Sequence, residues 1–197
     1  MPIAHLIAFE GLDQSGKETQ ALMLRDELRS RGQPAEYVTF PDYSTPIGQE
    51  IGHALQGARN FGADVLQLLF VANRYEWKPR IAMMLARGTH VVCDRYQASS
   101  VAYGEAQGVD PGWMLDVQRL LPQPALTIVL DIEPEVAARR KAANRDKFER
   151  DLAMLARVRQ SYLRQAAQPH WIVINGARGK DVVAEDILGA VNLLHLI

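Results

Sequence analysis

A glycine-rich segment near the start of the chain carries the clearest chemical signal. It runs from Gly11 to Lys17, after an apolar run and before an amphipathic segment at 19–31. Glycines let backbone N–H groups turn towards one anion, the start of a helix adds positive potential, and a lysine ammonium can reach the terminal phosphates of a nucleotide. We therefore predict a nucleotide-binding loop made of Gly11, Asp13, Gln14, Ser15, Gly16, Lys17, Glu18 and Thr19.

The residue after Lys17 departs from the usual pattern of such loops. Ser or Thr commonly follows the lysine and holds Mg²⁺ through its hydroxyl, whereas this chain has Glu18 and then Thr19. A carboxylate so close to bound phosphates must either turn outward or help to bind the metal. The sequence leaves both alternatives open.

A second constellation, Asp94-Arg95-Tyr96, follows the apolar run Val91-Val92-Cys93. Ligands of open parallel sheets bind outside the carboxyl ends of the strands, so residues at this point are well placed to meet a nucleotide. Asp94 is a candidate to hold Mg²⁺, and Arg95 offers a bidentate fork for phosphate. An ion pair that caps the strand is the alternative, and Asp131, after another apolar run, competes for the metal role.

The segment 139–150 is rich in cations. It reads Arg-Arg-Lys-Ala-Ala-Asn-Arg-Asp-Lys-Phe-Glu-Arg. In isolation, such a cluster is most often a solvated connection between helices. Beside a phosphate-binding loop we favour a functional lid, because phosphoryl transfer needs cations that neutralise the migrating group and exclude water.

Composition limits the remaining possibilities. A chain of 197 residues with 48% hydrophobic content suits one well-packed core, so we predict a single domain over 1–197. The net charge of −1 provides no basic field for a nucleic acid polymer. We expect a cytoplasmic protein, because the start of the chain lacks a secretion signal and no apolar run has the length of a membrane span. The single cysteine, Cys93, is interpreted as a buried apolar side chain.

Strand and helix signals alternate along the chain. This alternation predicts an α/β protein whose parallel sheet of five strands is covered by helices on both faces. The predicted strands are 6–9, 37–40, 90–93, 126–130 and 171–174. The predicted helices are 19–31, 47–56, 63–86, 111–120, 134–143, 151–167 and 181–194.

Several segments together resemble the thymidylate kinase family of P-loop nucleoside-monophosphate kinases. They are Phe9 to Asp13, Phe40-Pro41, Leu69 to Arg74, Asp94 to Tyr96 with Ser99, Ser100 and Tyr103, and Lys147 to Arg150. They occur in family order up to about residue 150. The resemblance implies a three-layer P-loop kinase fold with a short lid at about 139–150. It implies transfer of the γ-phosphate of ATP to dTMP with Mg²⁺ in dTTP synthesis, a homodimer, and Asp94 rather than Asp131 on the metal side.

The resemblance also implies roles for individual residues. Asp13 would meet the sugar hydroxyl of dTMP, Phe70 would stack on thymine, Arg74 would hydrogen-bond the base, and Arg95 would hold the acceptor phosphate. The complete acceptor site would comprise Asp13, Phe40, Pro41, Phe70, Arg74, Arg95, Ser99, Tyr103 and Phe148. The catalytic cations would be Lys17, Arg95, Arg140 and Arg145.

Departures from the family pattern qualify this picture. Gln14 stands where some members carry a catalytic arginine, so the lid must supply it from among Arg139, Arg140, Arg145 and Arg150. Phe148 stands where a tyrosine is common. Two other function classes remain open: a kinase for a different nucleotide or deoxynucleoside, and a nucleotide-binding protein without catalysis, which only Glu18 favours.

Overall fold

The computed structural model describes residues 4–140 and 151–193, which form one five-stranded parallel sheet with helices on both faces. The strands are β1 Leu6–Glu10, β2 Ala35–Thr39, β3 His90–Asp94, β4 Leu126–Asp131 and β5 Trp171–Asn175. The helices are α1 Lys17–Ser30, α2 Pro46–Leu55, α3 Ala63–Ala86, α4 Gln97–Ala106, α5 Pro111–Asp116, α6 Pro134–Arg140, α7 Leu152–Gln165 and α8 Lys180–Leu193. The predicted α/β class and all five predicted strands are confirmed.

The strand order is β2-β3-β1-β4-β5, so β1 lies at the centre between β3 and β4. Every residue of β1 is buried, as expected for a parallel strand covered on both faces. Ile7 and Phe9 pack in the cluster that contains α1 and α8, while Leu6 and Ala8 pack on the other side, near α3. Because alternate side chains of a strand point to opposite faces, Glu10 also points to the α3 side.

The central position of β1 determines where a ligand site can form. The carboxyl ends of β1, β3 and β4 lie side by side, with Phe9 paired to Asp94 and to Ile128. The segments that follow these strands therefore start from one edge of the sheet, the edge at which open α/β sheets bind ligands.

Helix boundaries follow local chemistry. Ala21, Leu24 and Leu28 of α1 are buried against the sheet, as their spacing predicts. Gly32 and Gly88 adopt positive φ shortly after α1 and α3 end, and Pro134 begins α6. The predicted helix 111–120 is shorter than expected, because α5 ends at Asp116 and turns follow. Residues 141–143 of the predicted helix 134–143 lie outside the described residues.

Helix α4 is missing from the sequence prediction, and its burial explains why. Residues 98–104 are all buried, so the segment has no polar face to reveal a helical period. Its two serines and its glycine also have weak helix propensity. Among the described helices, none has both the length and the apolar character needed to cross a membrane.

We predict that Gly48→Ala destabilises the fold, whereas Gly52→Ala, one turn later in α2, does not. A Cβ on Gly48 would lie 1.8 Å from the Asp42 carbonyl oxygen, but one on Gly52 would make an ordinary 3.5 Å contact with the Tyr43 ring. Overpacking against backbone should lower the free energy of unfolding by about 1–3 kcal/mol, and Gly52→Ala should raise it by up to about 1 kcal/mol. Urea unfolding measures both; equal effects would contradict the prediction.

Candidate active site

The loop between β1 and α1 has the conformation of an anion cradle. Gly11 and Gly16 have positive φ angles of 133° and 98°, and a Cβ on Gly11 would lie 2.5 Å from the Leu130 carbonyl oxygen. No side chain among the described residues caps the N-terminus of α1, which leaves its first N–H groups available to an anion. The buried Lys17 ammonium donates to the Leu12 carbonyl at 2.7 Å.

The charge state of Lys17 is poised by its surroundings. Burial, and next the nearby Arg95 cation, lower its pKa to about 8, against the opposing charges of Asp13, Asp94 and Glu10. Negatively charged phosphates close to a buried ammonium raise its pKa, so that it stays protonated. Glu18 and Thr19, by contrast, are exposed, and the Glu18 charge acts on the Tyr37 hydroxyl beside Asp94, so both alternatives for Glu18 stay open.

The two candidate metal-side aspartates have different environments. Both Asp131 oxygens accept from Arg159 of α7, at 2.6 and 2.8 Å. Asp94 has a buried Oδ1 with no hydrogen-bond partner among the described residues, and its Oδ2 lies 3.5 Å from the Tyr37 hydroxyl. The geometry therefore leaves Asp94 available for a further ligand, whereas Asp131 is occupied by an ion pair.

Arg95 is the centre of the site and adopts a positive φ of 64°. One terminal nitrogen donates to the Gly11 carbonyl, the Ser99 hydroxyl and the Tyr162 hydroxyl, at 3.2, 3.0 and 3.2 Å. The other donates to Asp13 at 2.8 Å and to the Tyr103 hydroxyl at 3.4 Å. Although burial alone would raise the pKa of Asp13, the Arg95 and Lys17 charges hold it well below its usual value.

A buried glutamate supports this cation from behind. Glu10 is fully buried and accepts from the Tyr96 and Ser99 amides and from the Ser99 and Tyr162 hydroxyls. Ser99 and Tyr162 therefore each accept from Arg95 and donate to Glu10. We predict no role for Glu10 or Tyr162 from the sequence; a carboxylate that ends an apolar strand is a signal for Glu10, but nothing in the sequence marks Tyr162.

A cleft on the α3 side of Arg95 brings together the residues expected for the acceptor. Eight of the nine line it: Asp13, Phe40, Pro41, Phe70, Arg74, Arg95, Ser99 and Tyr103. The ninth, Phe148, lies outside the described residues. Four further lining residues have no predicted role: Tyr43, Leu55, Gln67 and Ser100.

Arg74 is almost completely buried in this cleft, with 2% of its surface exposed. One terminal nitrogen donates to the Ser100 hydroxyl at 2.8 Å, to the Gln118 side chain at 3.3 Å and to the Phe70 carbonyl at 3.3 Å. Burial lowers its pKa to about 10, with Glu10 opposing that shift. Among the described residues its hydrogen-bond partners are all neutral, so the guanidinium can still attract a polar ligand.

The wall of the cleft at residues 41–45 is anchored by Asn73, which is fully buried. Its side chain accepts from the Asp42 amide at 2.7 Å and donates to the Thr45 hydroxyl and Glu76 carboxylate, both at 2.9 Å. Trp77 adds a hydrogen bond to the Asp42 carboxylate at 2.8 Å. These contacts hold Pro41 and Tyr43 against the cleft, a role the sequence alone does not reveal.

The described part of the cationic segment contacts the phosphate loop. Arg140 donates to the Gln14 carbonyl at 2.9 Å and to the Gly176 carbonyl at 3.0 Å, while Arg139 is exposed. The expected catalytic Arg145, like Arg150 and most of the expected lid, lies outside the described residues.

A phosphate loop beside a second cleft that contains a buried arginine, built on this fold, defines the class of P-loop kinases that phosphorylate nucleotides. The family model for thymidylate kinase matches residues 9–187. The thymidylate kinase of Dictyostelium discoideum is 36% identical over 182 residues, covering 92% of this chain and 82% of that protein. The Danio rerio thymidylate kinase is 36% identical over 185 residues, 92% of this chain and 87% of that one.

Solved structures agree with this relationship. The structure of thymidylate kinase from Candida albicans superimposes with a TM-score of 0.86 at 29% identity, covering 96% of this chain and 92% of the other. The chain belongs to the thymidylate kinase family, the ATP-dependent kinases that convert dTMP to dTDP.

We predict that Tyr162→Phe lowers kcat about tenfold while KM for ATP stays unchanged, because Arg95 loses one oriented acceptor and Glu10 loses one donor. Steady-state kinetics with ATP and dTMP measure the split. Tyr75→Phe is the control, since its hydroxyl makes a partly buried hydrogen bond to the Val117 carbonyl at 2.9 Å, away from Arg95. Equal losses in both variants would refute a positioning role for Tyr162.

The depressed pKa of Lys17 predicts a basic limb in the pH profile. As pH rises through about 8, the free enzyme loses the Lys17 proton, and kcat/KM for ATP should fall about tenfold per pH unit. At saturating ATP the limb should move to higher pH, because bound phosphates stabilise the ammonium. Lys17→Arg should be less active but lack the limb; an unchanged limb in this variant would assign it to another group.

Proposed function

We propose that this chain transfers the γ-phosphate of ATP to dTMP, releasing dTDP and ADP. The observation that supports this most is the ion pair between Asp13 of the phosphate loop and Arg95 of the acceptor cleft, at 2.8 Å. It joins a donor site and an acceptor site through one pair of side chains. A shared boundary of this kind suits direct transfer between two bound nucleotides.

The proposed mechanism consists of positioning and electrostatics. Lys17 and the loop amides hold the ATP phosphates, and Arg95 holds the acceptor phosphate in line with them. Asp13 accepts from the sugar hydroxyl, Phe70 stacks on the base and Arg74 donates to it. The fixed network behind Arg95 means that little reorganisation is needed as charge moves during transfer.

Mg²⁺ fits the residues present. Among the described residues, no group of three or more His, Cys, Asp or Glu side chains could hold a metal by itself. Mg²⁺ commonly uses one or two carboxylates together with substrate phosphates and waters, and the unpartnered buried Oδ1 of Asp94 offers one such ligand. When bound, the ion would neutralise phosphate charge beside Lys17.

The proposed catalytic lid cations are Arg140 and Arg145. Arg140 lies at the start of the cationic segment, and its guanidinium donates to the Gln14 carbonyl of the phosphate loop. This contact supports a catalytic role for Arg140. An arginine in this position can supply the positive charge that some family members provide with an arginine at the position of Gln14. We further propose that residues 1–197 form one kinase domain with its lid at about 139–150.

We also propose a cytoplasmic homodimer. One side of α3 carries apolar residues at positions 65, 68, 72, 79 and 83, which helical spacing aligns and which the exposed Glu76 interrupts. Among them, Val65, Leu68 and Met83 have 43%, 40% and 45% of their surface exposed. A second copy packed on this face would bury these side chains, and the acceptor residues on the opposite side of α3 would stay accessible.

The assignment predicts a defined order of acceptors in a coupled assay with ATP and Mg²⁺. dTMP should be best, and dUMP about 10- to 200-fold less efficient in kcat/KM, because a single methyl in an apolar pocket contributes only about 1–3 kcal/mol. AMP and GMP should be almost inactive, since a purine would clash and leave the buried Arg74 Nε without the base carbonyl proposed to pair with it. Lys17→Ala should abolish turnover and retain the wild-type melting temperature, which controls for contaminating kinases.

Two results would contradict this proposal in different ways. A purine monophosphate that outperforms dTMP would assign the chain to another nucleotide kinase. ATP binding without turnover of any monophosphate would favour the non-catalytic alternative.

A further inference from the structure

Gln67 on α3 has a buried amide group that nothing in the described structure satisfies. Only 1% of its surface is exposed, and neither its Oε1 nor its Nε2 has a hydrogen-bond partner among the described residues. The residue lines the acceptor cleft. Leaving a buried amide unpaired costs stability, so a side chain that retains both unpaired atoms is expected to find partners in another state of the protein.

Arg74 contributes a third unsatisfied group in the same cleft. Its Nε has no partner among the described residues, although a terminal nitrogen is engaged by Ser100 and Gln118. Gln67, Phe70 and Arg74 follow one another at spacings of three and four residues, so they share one face of α3. The unsatisfied polar atoms therefore flank the aromatic ring proposed to stack on the base.

The identities of these atoms specify the chemistry of their ligand. Arg74 Nε and Gln67 Nε2 are donors, and Gln67 Oε1 is an acceptor. The base edge of thymine presents a carbonyl, an N3–H and a second carbonyl, and the N3–H requires an acceptor that arginine does not have. Ser99 is already used, since its hydroxyl accepts from Arg95 and donates to Glu10.

We propose that Gln67 is a specificity-determining residue that pairs with the imide edge of the acceptor base. Oε1 accepts from N3–H and Nε2 donates to one adjacent carbonyl, while Arg74 Nε donates to the other. This inference deepens the proposed function and rests on it. All three unsatisfied protein atoms and all three edge groups of thymine then gain partners.

Gln67 and Arg74 recognise different features of the base. An amide can rotate to present its donor and acceptor in either order, whereas an arginine offers donors only. Cytosine carries an amino donor in place of the 4-carbonyl of thymine, so an Arg74 Nε that pairs with the 4-carbonyl excludes it. Gln67 instead requires a base with a donor and an adjacent acceptor, and it is indifferent to the methyl group that distinguishes dTMP from dUMP.

The test pairs a change in the protein with a change in the ligand. Gln67→Met keeps the length of the side chain but removes both polar atoms, and N3-methyl-dTMP lacks the imide proton. Wild-type enzyme should prefer dTMP over N3-methyl-dTMP by about 100-fold in kcat/KM, and the variant by about tenfold or less. KM for dTMP should rise about tenfold in the variant, with KM for ATP and the ratio of dTMP to dUMP unchanged.

Gln20→Met is the matched control. Gln20 is another buried glutamine with an unpartnered Oε1, but it lies on α1 and donates to the Lys180 carbonyl, away from the acceptor cleft. Its replacement should leave the KM for dTMP at the wild-type value. The melting temperature of ligand-free Gln67→Met should equal or exceed that of the wild type, because an unsatisfied amide is replaced by an apolar group; a purely structural role would lower it.

The outcomes are distinguishable. If wild-type enzyme uses dTMP and N3-methyl-dTMP equally well, the inference is wrong, whether or not the variant folds. If Gln67→Met prefers dTMP over N3-methyl-dTMP as strongly as the wild type does, a residue other than Gln67 accepts from the imide N3–H, and the inference is wrong. If the wild type does not phosphorylate dTMP at all, the proposed function fails first, and the inference with it.

Discussion

The buried charge network around Arg95 is the interaction on which the site depends. Asp13 holds the guanidinium from the side of the phosphate loop, while Glu10 holds it indirectly through Ser99 and Tyr162. In a low-dielectric interior, each of these charges would be costly alone, and together they compensate one another. The result is a cation held in a fixed orientation between the phosphate loop and the cleft.

Fixing Arg95 also fixes the elements around it. The hydrogen bonds to Glu10 reach from β1 to the start of α4 and to the last turn of α7. Arg159 of α7 binds Asp131 at the end of β4, so α7 is tied to two strand ends. Because α7 begins at Leu152, these contacts fix the helix that follows residues 141–150 against the sheet.

Different faces of helix α3 line the cleft, anchor the wall at residues 41–45 and remain exposed to solvent. Gln67, Phe70 and Arg74 line the acceptor cleft, Asn73 anchors the wall at residues 41–45, and several apolar residues remain exposed. Twenty-four residues of continuous helix hold these features in one rigid relationship. The acceptor cleft can thus be precise even though one of its walls is a loop, because the loop is bonded to the same helix.

The sequence by itself determined the features that depend on residues close together along the chain, namely the phosphate loop and the parallel strands. The spacing of Gly11, Gly16 and Lys17 predicts the phosphate loop, and the continuous apolar strands predict a parallel sheet, because backbone conformation and burial pattern are local properties. Resemblance supplied most of the cleft residues. Helix α4 escaped prediction because burial on all sides removed the periodic signal on which such predictions depend.

Only the tertiary structure decided which polar side chains are satisfied. Tyr162 meets Glu10 across 152 positions, and Arg159 occupies Asp131 while one Asp94 oxygen has no hydrogen-bond partner in the part of the chain that the structure describes. That the Gln67 amide lacks partners among the same residues is equally invisible in the sequence. Hydrogen bonding and desolvation depend on which groups meet in space, and that meeting is set by how distant segments pack.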